Sequence, residues 1–373
     1  MSDTKASAQP RHAVACRSVL MVGTHTDAMG GISTVVRGYQ DGGLFERFNC
    51  VYVDTHRDGS GWLKAWVAIW AWCRIAFYLT KLEAPLVHIH MSSRASFWRK
   101  AVICLLARLW GRPYVVHVHG SEFMVFHDEE CGPLAQRFMQ WIFARAALVI
   151  AISEQWRASL LGISPEANVV VLTNAVALPN LAARSEAPRG PRVILCLGRL
   201  GRRKGSFDMV QAFARLASQF PDWRLVCAGD GEVAETRALA NECGVADRVT
   251  CPGWLDSEST HRALAGATIF ALPSYAEGLP MALLEAMSWQ LPVVTSPVGG
   301  IPQVVRQEVN GVLVTPGDID GISATLTSLM TNEGERERLG AAARRTIEAE
   351  FSRAPMIHRL SEIYGRFGVR ERS

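Results

Sequence analysis

The chain has 373 residues, more than one hydrophobic core ordinarily organises, so we expect about two domains. Hydrophobic residues make up 49% of the sequence and charged residues 20%, a composition typical of an ordinary folded protein. The formal net charge of +4 is too small to indicate a nucleic-acid partner, and it is compatible with anionic ligands or an anionic membrane surface.

The cysteines and the first residues of the chain predict its location. Nine cysteines are present and no two have CxxC spacing, so we interpret them as reduced core residues and not as a disulfide framework or a zinc site. The first fifteen residues are polar and lack the apolar segment of a signal peptide. Both features predict a cytoplasmic protein.

The amino-terminal half alternates short, nearly continuous apolar segments with helical patterns. Continuous apolar character indicates strands that are buried on both faces, as in a parallel sheet. The predicted strands are SVLMVG, CVYVD, LVHIHM, YVVHVHG, LVIAIS and VVVLTN. We therefore predict a first Rossmann-like domain over residues 1–180.

The loop after the first predicted strand carries a glycine pair. In VGTHTDAMGGISTVVRGY, Gly30 and Gly31 precede a helix that we expect to start near Ser33. Free N–H groups at such a helix start can hold an anion. The loop lacks the G-x-G-x-x-G spacing, so it does not match the dinucleotide-binding fingerprint. We predict that Gly30 and Gly31 bind the phosphates of an anionic ligand.

Two helical segments of the first domain combine tryptophan with basic residues, from Trp62 to Leu79 and from Phe97 to Trp110. Basic residues interrupt both segments, which excludes a transmembrane helix because a span needs about 20 mainly apolar residues. The residues concerned are Trp62, Trp66 and Trp70 at i, i+4, i+8 spacing, with Lys64, Arg74, Arg99, Lys100 and Arg108. The helices either pack within the α/β domain or contact a membrane interface, where both residue types are favourable.

Two predicted strands contain His-x-His pairs. His117 and His119 lie on one face of YVVHVHG, and only His119 lies at the carboxyl end of that strand, where a side chain faces the cleft. His88 and His90 repeat the spacing in LVHIHM. Neither pair has a carboxylate or a cysteine at a usual ligand spacing, so we predict no metal site.

The second half of the chain repeats the α/β pattern. Residues 181–192 are rich in Pro, Ala and Arg and are predicted to form a linker. The strands that follow include VILCLGR, RLVCAGDG, VTCPGW, IFALPS, PVVTS and GVLVT, which predict a second Rossmann-like domain over residues 193–373. Its terminal helix can pack back on the first domain. Two doubly wound sheets in tandem create a cleft between the loops at their carboxyl ends, where ligands bind such folds.

A basic loop follows the first strand of the second domain in VILCLGRLGRRKGSFDMV. Arg199 directly follows the strand and Lys204 directly precedes the next helix, so these two cations are the best placed to bind a diphosphate. Arg202 and Arg203 are interpreted as solvated.

The segment SYAEGLPMALLEAM places Glu277 in a loop and Glu285 inside the helix that follows. The neighbours of Glu285 are apolar, and a carboxylate there is costly unless a polar group, such as a ribose, pairs with it. Glu277 can face a second polyol, and free amides at the helix start can hold hydroxyls. The turn and helix start that are predicted to bind this ligand consist of Gly278, Leu279, Pro280 and Met281, with Gly278 and Pro280 shaping the turn. Two polyol ends joined by an anion describe a nucleotide sugar.

The base of such a ligand is expected to contact a separate loop. Base selection in doubly wound folds depends on loop backbone and packing. We predict that Trp254 and Leu255 in PGWLDSE form part of the surface that contacts the base.

At this point the motifs resemble a known family. EGLPMALLE is similar to the E-x7-E motif of the retaining glycosyltransferases of family 4, which have the GT-B fold. LGRLGRRKG resembles the family's GR-x4-KG loop, and VVHVHGSE resembles its strand-end histidine. MGGISTVV resembles the amino-terminal glycine loop, in which Gly31 would let the backbone approach phosphate and acceptor. The resemblance covers nearly the whole chain in the same order, and it implies two lobes that face each other across a cleft.

The resemblance also implies a role for each matching residue. Glu285 would accept hydrogen bonds from the donor ribose, and Glu277 would lie at the donor sugar hydroxyls near the reacting carbon. Arg199 and Lys204 would neutralise the departing diphosphate without a metal ion or another cofactor. His119 would contact the donor sugar or stabilise charge in the transition state.

We therefore predict a metal-independent retaining hexosyltransferase that uses a UDP-sugar or a GDP-sugar. The acceptor hydroxyl would attack on the face from which the nucleotide leaves, which keeps the anomeric configuration. The tryptophan-bearing helices favour a polyprenyl-diphosphate-linked saccharide as acceptor, at the inner face of the cytoplasmic membrane, in surface-polysaccharide assembly.

Other functions remain open at this point. The acceptor could be soluble or a different lipid, and a different two-lobed enzyme, such as a sugar phosphorylase or a nucleotide-sugar epimerase, would share the fold. A phosphorylase would normally carry pyridoxal phosphate on a lysine. A non-catalytic nucleotide-sugar-binding protein is disfavoured because four motif residues are intact, namely Glu277, Glu285, Arg199 and Lys204.

Overall fold

The computed structural model describes residues 16–26, 28, 31–57, 60–120, 122–185 and 190–372. In this part of the chain, the strands form two six-stranded sheets, and every recorded strand pair within them is parallel. Helices follow the strands in alternation. The predicted α/β class, with two parallel doubly wound sheets, is therefore confirmed.

The first lobe contains a sheet with the strand order β2-β1-β3-β4-β5-β6. Its central strands are buried along their whole length, which explains why their sequences are continuously apolar. The strands are β1 (Ser18–Gly23), β2 (Cys50–Asp54), β3 (Pro85–Met91), β4 (Tyr114–Val118), β5 (Leu148–Ala151) and β6 (Val169–Val171). The helices are α1 (Gly31–Asp41), α2 (Leu44–Phe48), α3 (Gly61–Lys81), α4 (Ala95–Leu109), α5 (Phe123–Val125), α6 (Pro133–Arg145) and α7 (Glu154–Ile163).

The second lobe contains a sheet with the strand order β12-β11-β10-β7-β8-β9. Its strands are β7 (Arg192–Leu197), β8 (Trp223–Ala228), β9 (Val249–Gly253), β10 (Ile269–Leu272), β11 (Val293–Thr295) and β12 (Val312–Leu313). The short helix α8 (Ala182–Ser185) lies inside the predicted linker. The helices that follow are α9 (Ser206–Leu216), α10 (Val233–Glu242), α11 (Ser257–Gly266), α12 (Met281–Ser288), α13 (Ile319–Thr331), α14 (Glu333–Thr346) and α15 (Arg353–Gly365).

The strand order fixes where a ligand can bind. The direction of chain progression reverses between β1 and β3 in the first lobe and between β7 and β10 in the second. The loops that leave two such strands diverge to opposite faces of the sheet and leave a crevice between them. In the second lobe, these loops carry the basic segment and Glu277, so the topology brings together two motifs that are far apart in sequence.

The terminal helix α15 crosses to the first lobe. Its buried residues belong to one hydrophobic cluster with residues of β1, α1 and α2. Tyr364 on this helix also has its hydroxyl 2.7 Å from Nδ1 of His88 on β3. The end of the chain therefore ties the second lobe to the core of the first.

The two tryptophan-bearing helices, α3 and α4, leave several large apolar side chains exposed. On α3, the side chains of Trp62, Trp66 and Trp70 are exposed, and the rings of Trp66 and Trp70 stack with centroids 5.9 Å apart. We call these three residues the tryptophan face. Lys100 on α4 is completely buried, so this residue fits the alternative of packing within the domain and does not belong to a basic surface. Within the described residues, no helix has both the length and the apolar character needed to cross a membrane.

The packing of α15 gives a stability prediction. Leu360 is completely buried between α15 and the first sheet, so Leu360→Ala leaves a cavity and is expected to lower the free energy of unfolding by about 2–5 kcal/mol. Leu109→Ala is the matched control because Leu109 is 78% exposed, and we expect a change within about 0.5 kcal/mol. Urea unfolding followed by tryptophan fluorescence measures both. Equal stabilities of the two variants would contradict the packing described here.

Candidate active site

The basic loop between β7 and α9 is shaped by two glycines in the left-handed region. Gly201 has φ of +137° and Gly205 has φ of +70°. A Cβ atom at Gly205 would lie only 2.3 Å from the carbonyl oxygen of Pro273, so only glycine lets this loop pack on the end of β10. This close approach brings Lys204 to the loop that carries Glu277.

Lys204 and Glu277 form a buried ion pair at the crevice. The Lys204 Nζ atom donates to Glu277 Oε1 at 2.5 Å, and the Ser274 hydroxyl donates to the same oxygen at 2.7 Å. Their side chains are 14% and 4% exposed. Removal of one partner from such a pair typically costs about 3–5 kcal/mol, because the other charge is left without compensation. The second carboxylate oxygen of Glu277 is not used in either bond.

The loop that follows Glu277 lies against the first lobe. A Cβ atom at Gly278 would lie 2.6 Å from Ile152 Cδ1 and 3.9 Å from the carbonyl oxygen of His119, so this glycine permits the contact. Leu279 is buried, and its carbonyl oxygen accepts a hydrogen bond from Asn174 Nδ2 at 2.9 Å. The end of β4 and the Glu277 loop therefore face each other across the predicted cleft.

Helix α12 starts directly after this loop. Pro280 occupies the N-cap position, and no side chain in the described part of the chain caps the helix. The N–H groups of the first turn, beginning with Met281, are therefore available to an anion or a hydroxyl. Glu285 lies in the second turn and is partly buried, and within the described residues its carboxylate has no hydrogen-bond partner. Burial raises the pKa of Glu285 to about 7, although the positive charges of Arg37 and Arg353 act against the shift.

His119 directly follows β4, as predicted. Its Nε2 atom lies 2.9 Å from Nδ1 of His90 on the neighbouring strand. Burial lowers the pKa of His119 to about 3, with repulsion from His88 and Lys100 as further causes. At neutral pH its imidazole is uncharged, so His119 can offer a hydrogen bond to a sugar but not a positive charge to a phosphate.

The remaining cations of the basic loop have different environments. Arg199 is exposed and pairs with Asp230 at the end of β8, at 3.3 Å. Arg203 is not simply solvated, contrary to the sequence interpretation, because it donates to the carbonyl oxygen of Ala276 at 3.3 Å and lies 3.5 Å from Glu122 of the first lobe. Sequence reasoning did not assign functions to Asp230 and Glu122. The feature of the sequence that could have identified them is their position in a loop that follows a strand.

The other predicted donor-binding residues are Gly30, Gly31, Trp254 and Leu255. Gly30 is outside the described residues. Gly31 begins α1, and a Cβ atom there would have no neighbour within 4 Å among the described residues. Trp254 and Leu255 follow β9, at the edge of the second sheet and two strands away from β7, and Trp254 is exposed.

Two protein-family models match consecutive parts of the chain. The model described as "Glycosyl transferase 4-like domain" matches residues 17–175, and the model described as "Glycosyl transferases group 1" matches residues 179–346. The chain belongs to the group 1 glycosyltransferases. The predicted family is therefore confirmed, and the two matches coincide with the two sheets.

Relatives of this glycosyltransferase include a polysaccharide-biosynthesis enzyme. This chain is 32% identical over 264 residues to the amylovoran biosynthesis glycosyltransferase AmsK of Erwinia amylovora, and the alignment covers 67% of this chain and 65% of AmsK. It is also 32% identical to a GDP-mannose-dependent alpha-(1-6)-phosphatidylinositol monomannoside mannosyltransferase of Mycobacterium tuberculosis, covering 46% of this chain and 48% of that enzyme. These alignments thus span about half to two thirds of the relatives.

Solved structures show the same fold. Sucrose-phosphate synthase from Thermosynechococcus elongatus superposes with a TM-score of 0.77 at 21% identity, covering 94% of this chain and 98% of that one. Anabaena HepE in complex with UDP and glucose superposes with a TM-score of 0.73 at 17% identity, covering 94% and 99%. The glycosyltransferase therefore has the predicted GT-B fold.

Glu285 gives a pH prediction for the free enzyme. Its folded pKa of about 7 exceeds the ordinary value of 4.5, so the folded state binds more protons between these values and the free energy of unfolding falls as the pH rises through this window. Glu285→Gln removes this dependence, and at pH 8 it is expected to be more stable than the wild type by about 1–3 kcal/mol.

The difference between the two proteins is expected to disappear below pH 4.5, where Glu285 is protonated in both states. Denaturant unfolding at several pH values measures it. A constant difference across this range would show that the burial of Glu285 does not control its protonation.

Proposed function

We propose that this glycosyltransferase moves a hexose from a nucleoside diphosphate sugar to a saccharide acceptor with retention of the anomeric configuration. The observation that carries the proposal is the buried contact of Lys204 with Glu277 beside the uncapped start of α12. It places a cation, a carboxylate and free backbone donors at one crevice. This combination suits a diphosphate joined to a sugar.

The donor site follows from these positions. Lys204 and the exposed Arg199 neutralise the diphosphate as the bond to the sugar breaks, and the first-turn amides of α12 add hydrogen bonds to it. Glu277 uses its remaining oxygen for a hydroxyl of the donor sugar. Glu285 accepts hydrogen bonds from the ribose, which supplies the polar partner that its carboxylate lacks. In this proposal the cationic side chains take the role that a metal ion has in other transferases, and no cofactor is used.

The acceptor approaches from the first lobe. His119 lies at the end of β4, with its backbone next to the Glu277 loop, so its neutral imidazole can hydrogen-bond to the donor sugar or the acceptor. The acceptor hydroxyl attacks on the face from which the diphosphate departs, and the diphosphate takes the proton. Stabilisation of the departing charge is then the main contribution to catalysis. Trp254 and Leu255 are proposed to contact the base.

We further propose that the acceptor is a saccharide on a lipid and that the enzyme works at the inner face of the cytoplasmic membrane, in surface-polysaccharide assembly. The tryptophan face of α3 supports this, because Trp62 is 89% exposed and its neighbours Trp66 and Trp70 form an apolar strip on the acceptor lobe. Lys81 and Arg108 are exposed on the two tryptophan-bearing helices and fit an anionic surface. The two relatives named above, one for amylovoran biosynthesis and one for a phosphatidylinositol mannoside, agree with this choice.

Nucleotide binding tests the donor site. Thermal-shift measurements with UDP, GDP, ADP, CMP and NAD are expected to show stabilisation by one nucleoside diphosphate, because a ligand at 100 times its Kd adds about 2.7 kcal/mol. The shift should disappear in Glu285→Ala and persist in Leu109→Ala, since Leu109 is a surface residue of the other lobe. Stabilisation by NAD alone would contradict the proposal.

The stereochemistry tests the mechanism. Once the active donor is known, NMR of the product should show the same anomeric configuration as the donor sugar. An inverted anomer would reject front-face displacement while leaving nucleotide-sugar binding intact.

Membrane binding tests the acceptor proposal. The wild-type enzyme is expected to co-sediment with vesicles that contain phosphatidylglycerol, and a variant with Trp62, Trp66 and Trp70 all changed to Ser should bind about tenfold less tightly or worse, which corresponds to about 1.4 kcal/mol. Trp254→Ser is the matched control because it removes an exposed tryptophan from the second lobe. Full activity on a water-soluble acceptor, without vesicle binding, would reject the lipid proposal.

A further inference from the structure

A cluster of three histidines lies inside the first lobe, and we call His88, His90 and His117 the histidine cluster. His88 and His90 are two positions apart on β3, so their side chains lie on the same face of the sheet. The parallel register pairs His90 with His117 on β4. The three side chains are at most 1% exposed, and their rings lie within 5.6 Å of one another, centroid to centroid.

Among the residues that the structure describes, several ring nitrogens of this cluster have no hydrogen-bond partner. They are Nε2 of His88, Nε2 of His90 and both nitrogens of His117. A buried polar atom without a hydrogen bond typically costs about 1–3 kcal/mol, and native proteins leave few of them. Four such atoms in one place indicate that something else satisfies them.

The two histidines of β3 show how the free nitrogens are oriented. Nδ1 of His88 lies 2.7 Å from the hydroxyl of Tyr364, and Nδ1 of His90 lies 2.9 Å from Nε2 of His119. In both rings, one nitrogen has an outer partner and the opposite nitrogen is buried and free. Histidines that bind metal ions have this arrangement, because the outer hydrogen bond fixes the tautomer and directs the other lone pair to the ion.

The available ligand atoms are close together. One nitrogen from each of the three residues can be chosen so that all three lie within 4.8 Å of one another. Zn–N bonds of about 2.0–2.1 Å in tetrahedral geometry require separations of about 3.4 Å, so a moderate contraction of the rings completes the set. We propose that the histidine cluster binds a single transition-metal ion, with Zn²⁺ as the first candidate.

The charge of the surroundings defines the fourth ligand. Imidazoles are neutral ligands, and the buried Lys100, whose Nζ is 3.0 Å from Ser96 Oγ, lies near enough to His90 for its positive charge to act on it. A bare divalent ion beside this ammonium would be unfavourable. The fourth position therefore takes a small anion, hydroxide or chloride.

The ion has a structural role in this proposal. It joins β3 to β4 beneath the cleft and, through the His88 bond to Tyr364, supports the contact of α15 with the first lobe. It also sets the tautomer of His119: a metal on Nε2 of His90 leaves the proton on Nδ1, which donates to His119 Nε2. The proton of the neutral His119 is then on its Nδ1. The ion lies on the first sheet, whereas Lys204 and Glu277 belong to the second lobe.

Metal analysis of protein without an affinity tag tests the proposal. After incubation with Zn²⁺ and removal of free metal, elemental analysis should find about one Zn²⁺ per chain in the wild type and in His358→Asn, a control for adventitious binding at an exposed histidine of α15. His117→Phe should hold less than about a tenth of this amount. Zn²⁺ should raise the Tm of the wild type by about 5 °C or more and leave that of His117→Phe unchanged.

A spectroscopic readout covers the case in which His117→Phe does not fold. Co²⁺-loaded wild-type enzyme should show the visible absorption of four-coordinate Co²⁺, and Tyr364→Phe should shift this spectrum because it changes the partner of a ligand. The proposal would be overturned if the folded wild-type protein remains metal-free after loading and its Tm does not rise. The free nitrogens would then be assigned to bound water. If the metal is lost in His358→Asn but retained in His117→Phe, it binds at the surface and the proposal is overturned.

Discussion

The buried ion pair between Lys204 and Glu277 is the interaction on which the proposed chemistry depends. Both side chains lie at the crevice between β7 and β10, and each charge is tolerable there only because the other is present. Their contact requires Gly205 to pack on Pro273 and the Ser274 hydroxyl to share the same oxygen. A donor diphosphate would enter a site whose cation is already oriented, so less reorganisation is needed when negative charge develops.

The same loops form polar contacts with the first lobe. Asn174 bonds to the backbone of Leu279, and Arg203 reaches Glu122 of the first lobe. Apolar packing adds to these polar contacts: α15 packs on the first lobe, and Leu279 belongs to one hydrophobic cluster with Ile152 and Trp156 of that lobe. The free enzyme also carries Glu285 at a cost to its stability, which a bound ribose would relieve.

The histidine cluster gives the acceptor lobe a second buried polar centre, and His90 is the residue that connects it to the cleft. Its Nδ1 contacts His119, whereas its Nε2 faces the cluster. A metal ion there would influence His119 only through orientation and tautomer. The exposed tryptophan face, on the outside of the same lobe, is independent of this centre, so the two proposals can succeed or fail separately.

The sequence by itself determined the fold class, the family and most of the donor motif, because continuous apolar strands, strand-end glycines and the spacing of Glu277 and Glu285 are local properties. It did not determine which motifs meet. Lys204 and Glu277 are 73 positions apart and adjoin only because the strand order places β7 beside β10. The histidines show the same limit: each His-x-His pair lacks ligands nearby in sequence, and only the register of β3 with β4 brings them together. The sequence left open whether the helix that carries Lys100 packs within the domain or contacts a membrane, because helical periodicity cannot show which face the tertiary structure covers.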